Sequence, residues 1–373
     1  MIYSRLVSTL FVMQVASYGA EEVPLFTWWV VNPLVKVKPL DPPPNPAATS
    51  ADLYAGRNEF EPFQIVLRPE ARDASDVDVE VSDFRTSQGV EISKSNITVY
   101  VEQFIRLVQP SSIDGGIGWW PDALVPRVDR YANERRNAFP LTVRRGHNQP
   151  LWVEVFVPQT AQPGKYTAYA RVTQEGIANF VVPIHLTVWA FELPSTATLK
   201  SSFGLSGITA LKQHRGRYTN DADLYALTRL YAKAALMHRI SIYGGSMVPP
   251  KYQYDGRHMD LDWRDYDSEV GPFLDGTALS VGEPLHDARA TTVDLRTPAT
   301  FEAPDQQAAY RVAWVKHFKQ KGWYDRLFLY LWDEPPAGDR QKVIERGRAA
   351  LQADPTLRTL LTVPFSAMPR CRR

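Results

Sequence analysis

Short runs of alternating apolar and polar residues fill the first half of the chain. Turn residues such as Pro163 and Gly164 separate these runs. Strands at this spacing, with no strong helical segment between them, are typical of a β-sandwich. We therefore predict an all-β sandwich domain over residues 21–193. Its clearest strands are predicted at residues 60–67, 77–81, 97–104, 151–157, 166–172 and 180–189.

From about Pro194 the pattern changes to strands that alternate with helices. Such alternation predicts a parallel sheet with crossover helices, either a barrel or an open doubly wound sheet. A complete (β/α) barrel usually needs about 250 residues. We therefore expect residues 194–373 to form a TIM-like (β/α) barrel domain that is truncated to about its first half. Helices are predicted at 221–238, 303–321 and 339–352, and strands at 199–205, 239–243, 291–295, 326–332 and 358–363.

The first 20 residues have the features of a secretory signal peptide. Arg5 precedes a short apolar run, and the small residues Gly19 and Ala20 offer a cleavage site. The run is too short to span a bilayer. We therefore expect a secreted or periplasmic protein. Because Cys371 is the single cysteine of the chain, a disulfide within one chain is excluded.

The charge is balanced, with 42 Lys and Arg against 41 Asp and Glu and a formal net charge of +1. Such a chain has no long-range field to attract nucleic acid or an anionic membrane, so we expect neither as a partner. The seven histidines show no close pair at metal-ligand spacing, and we expect no metal and no cofactor. The glycine-rich fingerprint of nucleotide sites and the Gly-x-Ser-x-Gly elbow of serine hydrolases do not occur. The oligomeric state is left open.

The strongest candidate for chemistry is the pair Asp333 and Glu334, which directly follows an apolar strand that ends at Trp332. In β/α folds, functional groups lie at the carboxyl edge of the strands. Tyr330 and Trp332 are predicted to form an apolar wall that raises a carboxyl pKa and keeps a general acid protonated. The alternative is that the two acids only cap the helix that follows, because acids are favoured at helix N-termini.

Several segments together carry a family resemblance: 238–241, 263–267, 271–276, 318–326 and 332–335, with 58–64, 120–126 and 163–166 in the N-terminal half. They resemble glycoside hydrolase family 123, whose catalytic domain is also known as domain-of-unknown-function family 4091. The resemblance implies a retaining reaction similar to that of a β-N-acetylgalactosaminidase, in which the 2-acetamido oxygen of the substrate attacks the anomeric carbon. It also implies that Glu334 is the general acid/base, that Asp333 orients the acetamido group, and that the partner is a glycan containing N-acetylhexosamine.

Four further residues are predicted to contact the substrate together with Trp332 and Tyr330. His238 and Arg239 stand at a helix–strand junction, where the helix dipole alone also favours basic residues. Asp265 and Tyr266 either line the mouth of a pocket or begin a solvated helix. A second hypothesis for the whole chain is a non-catalytic carbohydrate-binding or surface protein, or an inactive fragment of an enzyme.

Overall fold

The computed structural model describes residues 25–363, except residues 111, 114, 244–246, 299 and 302. The predicted signal peptide and Cys371 lie outside this part of the chain. Within it, no helix combines the length and the apolar character that crossing a membrane requires.

The described residues of the first part form strands and one short 3-10 helix at Lys94–Asn96. All six strands predicted from the alternating runs lie within observed strands. The strands are β1 (Phe26–Val31), β2 (Ala51–Arg57), β3 (Glu59–Pro69), β4 (Ala74–Val81), β5 (Phe84–Arg85), β6 (Glu91–Ile92), β7 (Ile97–Leu107), β8 (Gly118–Pro126), β9 (Val128–Asp129), β10 (Glu134–Arg135), β11 (Leu141–Val143), β12 (Gln149–Val157), β13 (Gly164–Gln174) and β14 (Ile177–Glu192).

Two sheets of this part face each other as a sandwich. One has the strand order β1-β3-β12-β7-β8. The other has the order β11-β4-β13-β14-β2, with β5 paired to β13 and β6 paired to β5. Alternation along each strand places one set of side chains inside, because neighbouring residues point to opposite faces of a sheet. In β13, for example, Tyr166 and Ala168 are buried, whereas Lys165 and Thr167 are exposed. The inner faces of both sheets contribute to one apolar core.

The second part contains both strands and helices, but the predicted strands at 239–243 and 291–295 are shorter than predicted, at Ile242–Tyr243 and Val293–Asp294. The strands are β15 (Phe203–Gly204), β16 (Ile242–Tyr243), β17 (Lys251–Tyr254), β18 (Met259–Asp262), β19 (Val293–Asp294), β20 (Leu327–Asp333) and β21 (Arg358–Thr362). The helices are α1 (Gly207–Arg215), α2 (Asp221–Met237), α3 (Arg264–Glu269), α4 (Gly271–Asp275), α5 (Pro304–Gln320) and α6 (Arg340–Ala353), with short 3-10 helices at Tyr324–Arg326 and Ala337–Asp339.

The parallel pairing in this part is divided between two sheets. β15 pairs with β16, and the order β19-β20-β21 forms a separate three-stranded sheet. α5 and α6 pack on the three-stranded sheet through a second apolar core. The predicted buried strand at 199–205 is wrong in its length and burial: only Phe203 and Gly204 pair, and Leu199 is exposed. A strand this short and paired on one side has little sheet to cover it.

The two parts of the chain share a third apolar cluster. Phe156 of β12 packs there with Leu236 and Met237 of α2, and with Phe273 of α4. The predicted boundary at residue 193 stays a prediction, because this continuous packing does not by itself separate two folding units.

Candidate active site

A bulge in β20 brings Tyr330 and Asp333 together. In a regular strand, residues three positions apart point to opposite faces. The register of β20 against β21 shifts between Tyr330 and Trp332, which inserts one extra residue and resets the alternation. The Tyr330 hydroxyl therefore reaches Asp333, and it donates a hydrogen bond to Oδ1 over 2.9 Å.

Thr362, at the end of the neighbouring strand β21, brings a second hydroxyl group to Asp333. Its hydroxyl donates to Oδ1 of Asp333 over 2.6 Å, and its Oγ1 lies 2.8 Å from the Tyr330 hydroxyl oxygen. The bonds from Thr362 and Tyr330 hold the pKa of Asp333 below its ordinary value. The geometry therefore favours an ionised Asp333 whose orientation is fixed by two strands.

Glu334 follows in a left-handed backbone conformation, with φ of 46°. Few non-glycine residues adopt this region, and such strain is often found at functional sites. Two contacts hold the turn, because the Glu334 backbone N–H donates to the carbonyl and the hydroxyl oxygens of Thr362, over 3.1 and 3.2 Å. Both acidic side chains are exposed at this edge.

The helix-capping alternative does not describe Asp333. α6 begins at Arg340, and the residue at its N-cap position is Asp339. The hydrogen bonds to the Asp333 carboxylate come from the hydroxyls of Tyr330 and Thr362, which belong to strands. The strand edge, and not the following helix, thus determines where this carboxylate lies.

The predicted apolar wall forms only in part. Tyr330 is beside Asp333, but the ring of Trp332 packs against Arg346 of α6, with 4.2 Å between the guanidinium carbon and the ring centroid. The Arg346 guanidinium also donates to the Leu331 carbonyl over 2.9 Å. The bulge explains this placement, because it sends Leu331 and Trp332 toward α6 while Tyr330 turns toward Asp333.

A second carboxylate, Asp294, lies beside this group and was not predicted. It ends β19, its side chain is 6% exposed, and its Oδ1 accepts the backbone N–H of Tyr330 over 3.1 Å. Burial raises the pKa of Asp294, while the hydrogen bond from Tyr330 and the charge of Arg296 act in the opposite direction. The signal that identified Asp333, an acid at the carboxyl end of a predicted strand, was also present for Asp294.

Asp294 and Tyr330 line a cavity of ≈ 400 Å³ between the sheet and the helices α5 and α6. Neither Asp333 nor Glu334 lines this cavity, so Tyr330 is the side chain that connects it with the acidic pair. The other residues that line it are Leu295, Arg296, Thr297, Pro298, Phe301, Gln307, Arg311, Leu329, Leu331 and Arg346.

Asp265 and Tyr266 do not lie beside Asp333 and Glu334. Asp265 is exposed and forms an ion pair with Lys251 over 2.6 Å. Tyr266 is 4% exposed and packs edge-on against Trp263 and Trp314 in the core beneath α5. It also lines a larger, mainly apolar cavity of ≈ 540 Å³ between α2, α4 and α5. Tyr266 was predicted at the mouth of a pocket or at the start of a solvated helix, but the structure buries its ring in the core.

His238 and Arg239 lie between the two parts of the chain. The Arg239 guanidinium donates to the carbonyls of Asn58 and Pro194, over 2.6 and 2.9 Å. The His238 ring lies 6.1 Å from the ring of Phe60, which belongs to β3. These contacts use both side chains to hold α2 against the sandwich.

No group of three or more His, Cys, Asp or Glu side chains suited to a metal ion occurs in the part of the chain that the structure describes.

Comparison with known proteins finds a family model that matches the N-terminal part of the chain. A family model described as "Glycoside hydrolase 123 N-terminal domain" matches residues 37–174. Among curated proteins, none matches the sequence significantly.

A solved structure is similar in fold. A family 123 glycoside hydrolase from Clostridium perfringens, solved to study glycolipid glycan hydrolysis, is similar with a TM-score of 0.58 and 12% identity. The match covers 86% of this chain and 60% of that enzyme. At this identity the likeness concerns the fold. Two smaller proteins, AvmM and the N-terminal domain of PorA, match with TM-scores of 0.25 and 0.22 and identities of 6% and 10%. These scores are too low to indicate a shared fold. The two proteins cover 46% and 43% of this chain, and 92% and 97% of their own chains.

Proposed function

Because residues 37–174 belong to the glycoside hydrolase 123 N-terminal domain family, we propose that the chain is a glycoside hydrolase with Asp333 and Glu334 as its catalytic pair. The observation that carries the proposal is the placement of Asp333, which receives hydrogen bonds from Tyr330 and Thr362 at the carboxyl edge of a parallel sheet. We further propose that the five parallel strands of the second part are a portion of a (β/α) barrel, and that the protein is secreted or periplasmic.

The reaction that we propose is retaining hydrolysis of a β-N-acetylhexosaminide, with the 2-acetamido oxygen of the substrate as nucleophile. Glu334 would protonate the glycosidic oxygen as the bond to the anomeric carbon breaks, and later remove a proton from the attacking water. Asp333 would accept a hydrogen bond from the acetamido N–H and stabilise the positive charge that develops on the oxazolinium ring. Stabilisation of charge that exists only in the transition state raises kcat.

The hydrogen bonds of Asp333 suit this role. Within the described residues, both hydroxyl donors reach Oδ1, which leaves Oδ2 for the amide of a ligand. The pKa of Asp333 is lowered by the same hydrogen bonds, so this carboxylate is ionised over a wide pH range. Glu334 is the adjacent proton donor. The two acids thus differ in their hydrogen bonding, which supports different roles in one reaction.

The test uses two leaving groups. Wild type and Glu334→Gln would be assayed on nitrophenyl and benzyl N-acetyl-β-galactosaminides and on their gluco isomers. Loss of a general acid typically costs a factor of about 10²–10⁴, and we expect the larger loss with benzyl alcohol, the poorer leaving group. Glu345→Gln, an exposed position on α6, is the matched control. Equal hydrolysis by wild type and Glu334→Gln would reject the assignment of the acid.

A second candidate function is carbohydrate binding without hydrolysis. It is favoured by the exposure of both acids and by the packing of Trp332 against Arg346, which leaves the predicted apolar wall incomplete. Calorimetric binding of N-acetylhexosamines by the wild type, together with no release of either aglycone, would support this candidate over the enzyme.

A further inference from the structure

The cavity of ≈ 400 Å³ beside Tyr330 collects positive charge. Its charged lining residues are Arg296, Arg311, Arg346 and Asp294, so three guanidinium groups face one carboxylate and the formal balance is +2. We call these four residues the arginine pocket. The chain as a whole is nearly neutral, with a net charge of +1, so this local excess reflects the arrangement of the fold.

Arg311 is the most buried of the three arginines in the arginine pocket. It is 8% exposed, and its Nη2 donates to Oε1 of Gln307, one turn earlier on α5, over 3.2 Å. Its buried Nε has no hydrogen-bond partner, and no acid lies within ion-pairing distance of its guanidinium among the described residues. A buried charge without a counter-charge is destabilising. Burial, followed by the charge of Arg346, lowers the pKa of Arg311.

The two other arginines lie at the exposed rim of the pocket. Arg346 is fixed by stacking on Trp332 and by its hydrogen bond to the Leu331 carbonyl. Arg296 lies 3.7 Å from Asp294, measured from Nε to Oδ2, and its side chain is 58% exposed. Like charges repel, so holding Arg346 near Arg311 costs free energy unless an anion lies between them.

We propose that the arginine pocket binds an anionic group of a glycan, either a sulfate ester or a sugar carboxylate. Guanidinium groups offer paired N–H donors that match the oxygens of both anions, and several such groups can bind one anion from different sides. The location fits a substrate subsite, because Tyr330 lines the pocket and also donates to Asp333. In this respect the inference rests on the proposed function. A sugar held at Asp333 would place its own acidic substituent, or an acidic neighbouring sugar of the same glycan, in the arginine pocket.

The experiment is isothermal titration calorimetry on the full chain at low salt. The probes are N-acetylgalactosamine 6-sulfate, glucuronic acid, neutral N-acetylgalactosamine and inorganic sulfate. We expect at least one of the two acidic sugars to bind about tenfold or more tightly than the neutral sugar, as expected for charge-assisted hydrogen bonds. Which acidic sugar binds distinguishes a sulfate ester from a carboxylate. The advantage should fall on raising the salt concentration, because exposed charges are screened.

Variants of the arginines test whether the tighter binding of acidic sugars depends on the arginine pocket. Arg311→Met and Arg296→Gln should each remove most of the advantage of the acidic sugar, and Arg348→Gln, on the exposed surface of α6, should retain it. If Arg311→Met loses its fold by circular dichroism, the rim variant Arg296→Gln carries the test. An unchanged advantage of the acidic sugar in Arg296→Gln, and in Arg311→Met if that variant folds, would overturn the proposal.

The remaining outcomes separate this inference from the proposed function. Equal binding of acidic and neutral sugars overturns the anionic subsite and leaves the hydrolase proposal intact. Binding of acidic sugars that depends on Arg311, without hydrolysis of any N-acetylhexosaminide, supports the subsite and rejects the hydrolase. Inorganic sulfate bound as tightly as the sulfated sugar would mean an adventitious ion only, and would overturn a glycan subsite.

Discussion

The buried side chain of Glu102 allows a quantitative test of how the sandwich core affects a carboxyl group. It lies on β7, is 3% exposed, and its buried Oε1 has no hydrogen-bond partner among the described residues. Burial raises its pKa from an ordinary value of 4.5 to about 7, and the charge of Lys36 offsets only part of this. The structure thus favours a protonated Glu102 in the folded state.

The consequence for stability follows from proton linkage. Because the pKa of Glu102 is higher in the folded state than in the unfolded chain, its stabilisation is present at low pH and is lost as the pH rises from 4.5 to about 7. One pKa unit corresponds to about 1.4 kcal/mol. Ionisation of Glu102 should therefore reduce the free energy of unfolding by about 3 kcal/mol across this range.

The perturbation is Glu102→Gln, which keeps the shape of the side chain and cannot ionise. The free energy of unfolding would be measured by urea denaturation, followed by tryptophan fluorescence, at pH 5 and pH 8. Relative to wild type, the variant should gain about 3 kcal/mol between the two pH values. Any constant effect of the amide cancels in this difference. Glu80→Gln, at an exposed position on β4, should gain nothing. An equal stability difference at both pH values would refute the argument from burial.

Two other side chains give sharp expectations. Thr362→Val removes one hydrogen-bond donor to Asp333, so the pKa of Asp333 should rise. The acidic limb of the pH profile of kcat should then move to higher pH. An unmoved limb, with Tyr330 intact, would show that this hydrogen bond does not tune the pKa of Asp333. Arg239→Met removes the hydrogen bonds to the carbonyls of Asn58 and Pro194. It should lower the free energy of unfolding, measured by urea denaturation, by about 1.5–3 kcal/mol. No loss of stability would show that water replaces these hydrogen bonds at no cost.

The local patterns were a good guide to the elements. The sandwich strands have a two-residue period because one face of each sheet is buried and the other is exposed, and this period is visible in the sequence alone. The helices over 221–238, 303–321 and 339–352 were predicted within one residue of each observed end. The family resemblance read from the residues is confirmed for the N-terminal domain by the family model that matches residues 37–174.

The candidate site was predictable only in part. An acid directly after an apolar strand identified Asp333 and Glu334, because the end of a parallel strand is an exposed edge at a known place in the fold. The bulge could not be predicted, and it determines that Tyr330 bonds to Asp333 while Trp332 packs on Arg346. A register shift depends on how two strands pair, which no pattern within one strand records.

The sequence by itself determined six strands of the sandwich, the three long helices and the edge at which the two adjacent acids lie. These features depend on the period of apolar residues over short distances. Only the tertiary structure decided which distant groups meet. It placed Thr362 on Asp333, brought Arg311 and Arg346 into one cavity, and used Arg239 to join α2 to the sandwich. The physical reason is that hydrogen bonds and charges act over a few ångströms in space between residues far apart in the chain, and packing alone determines those distances.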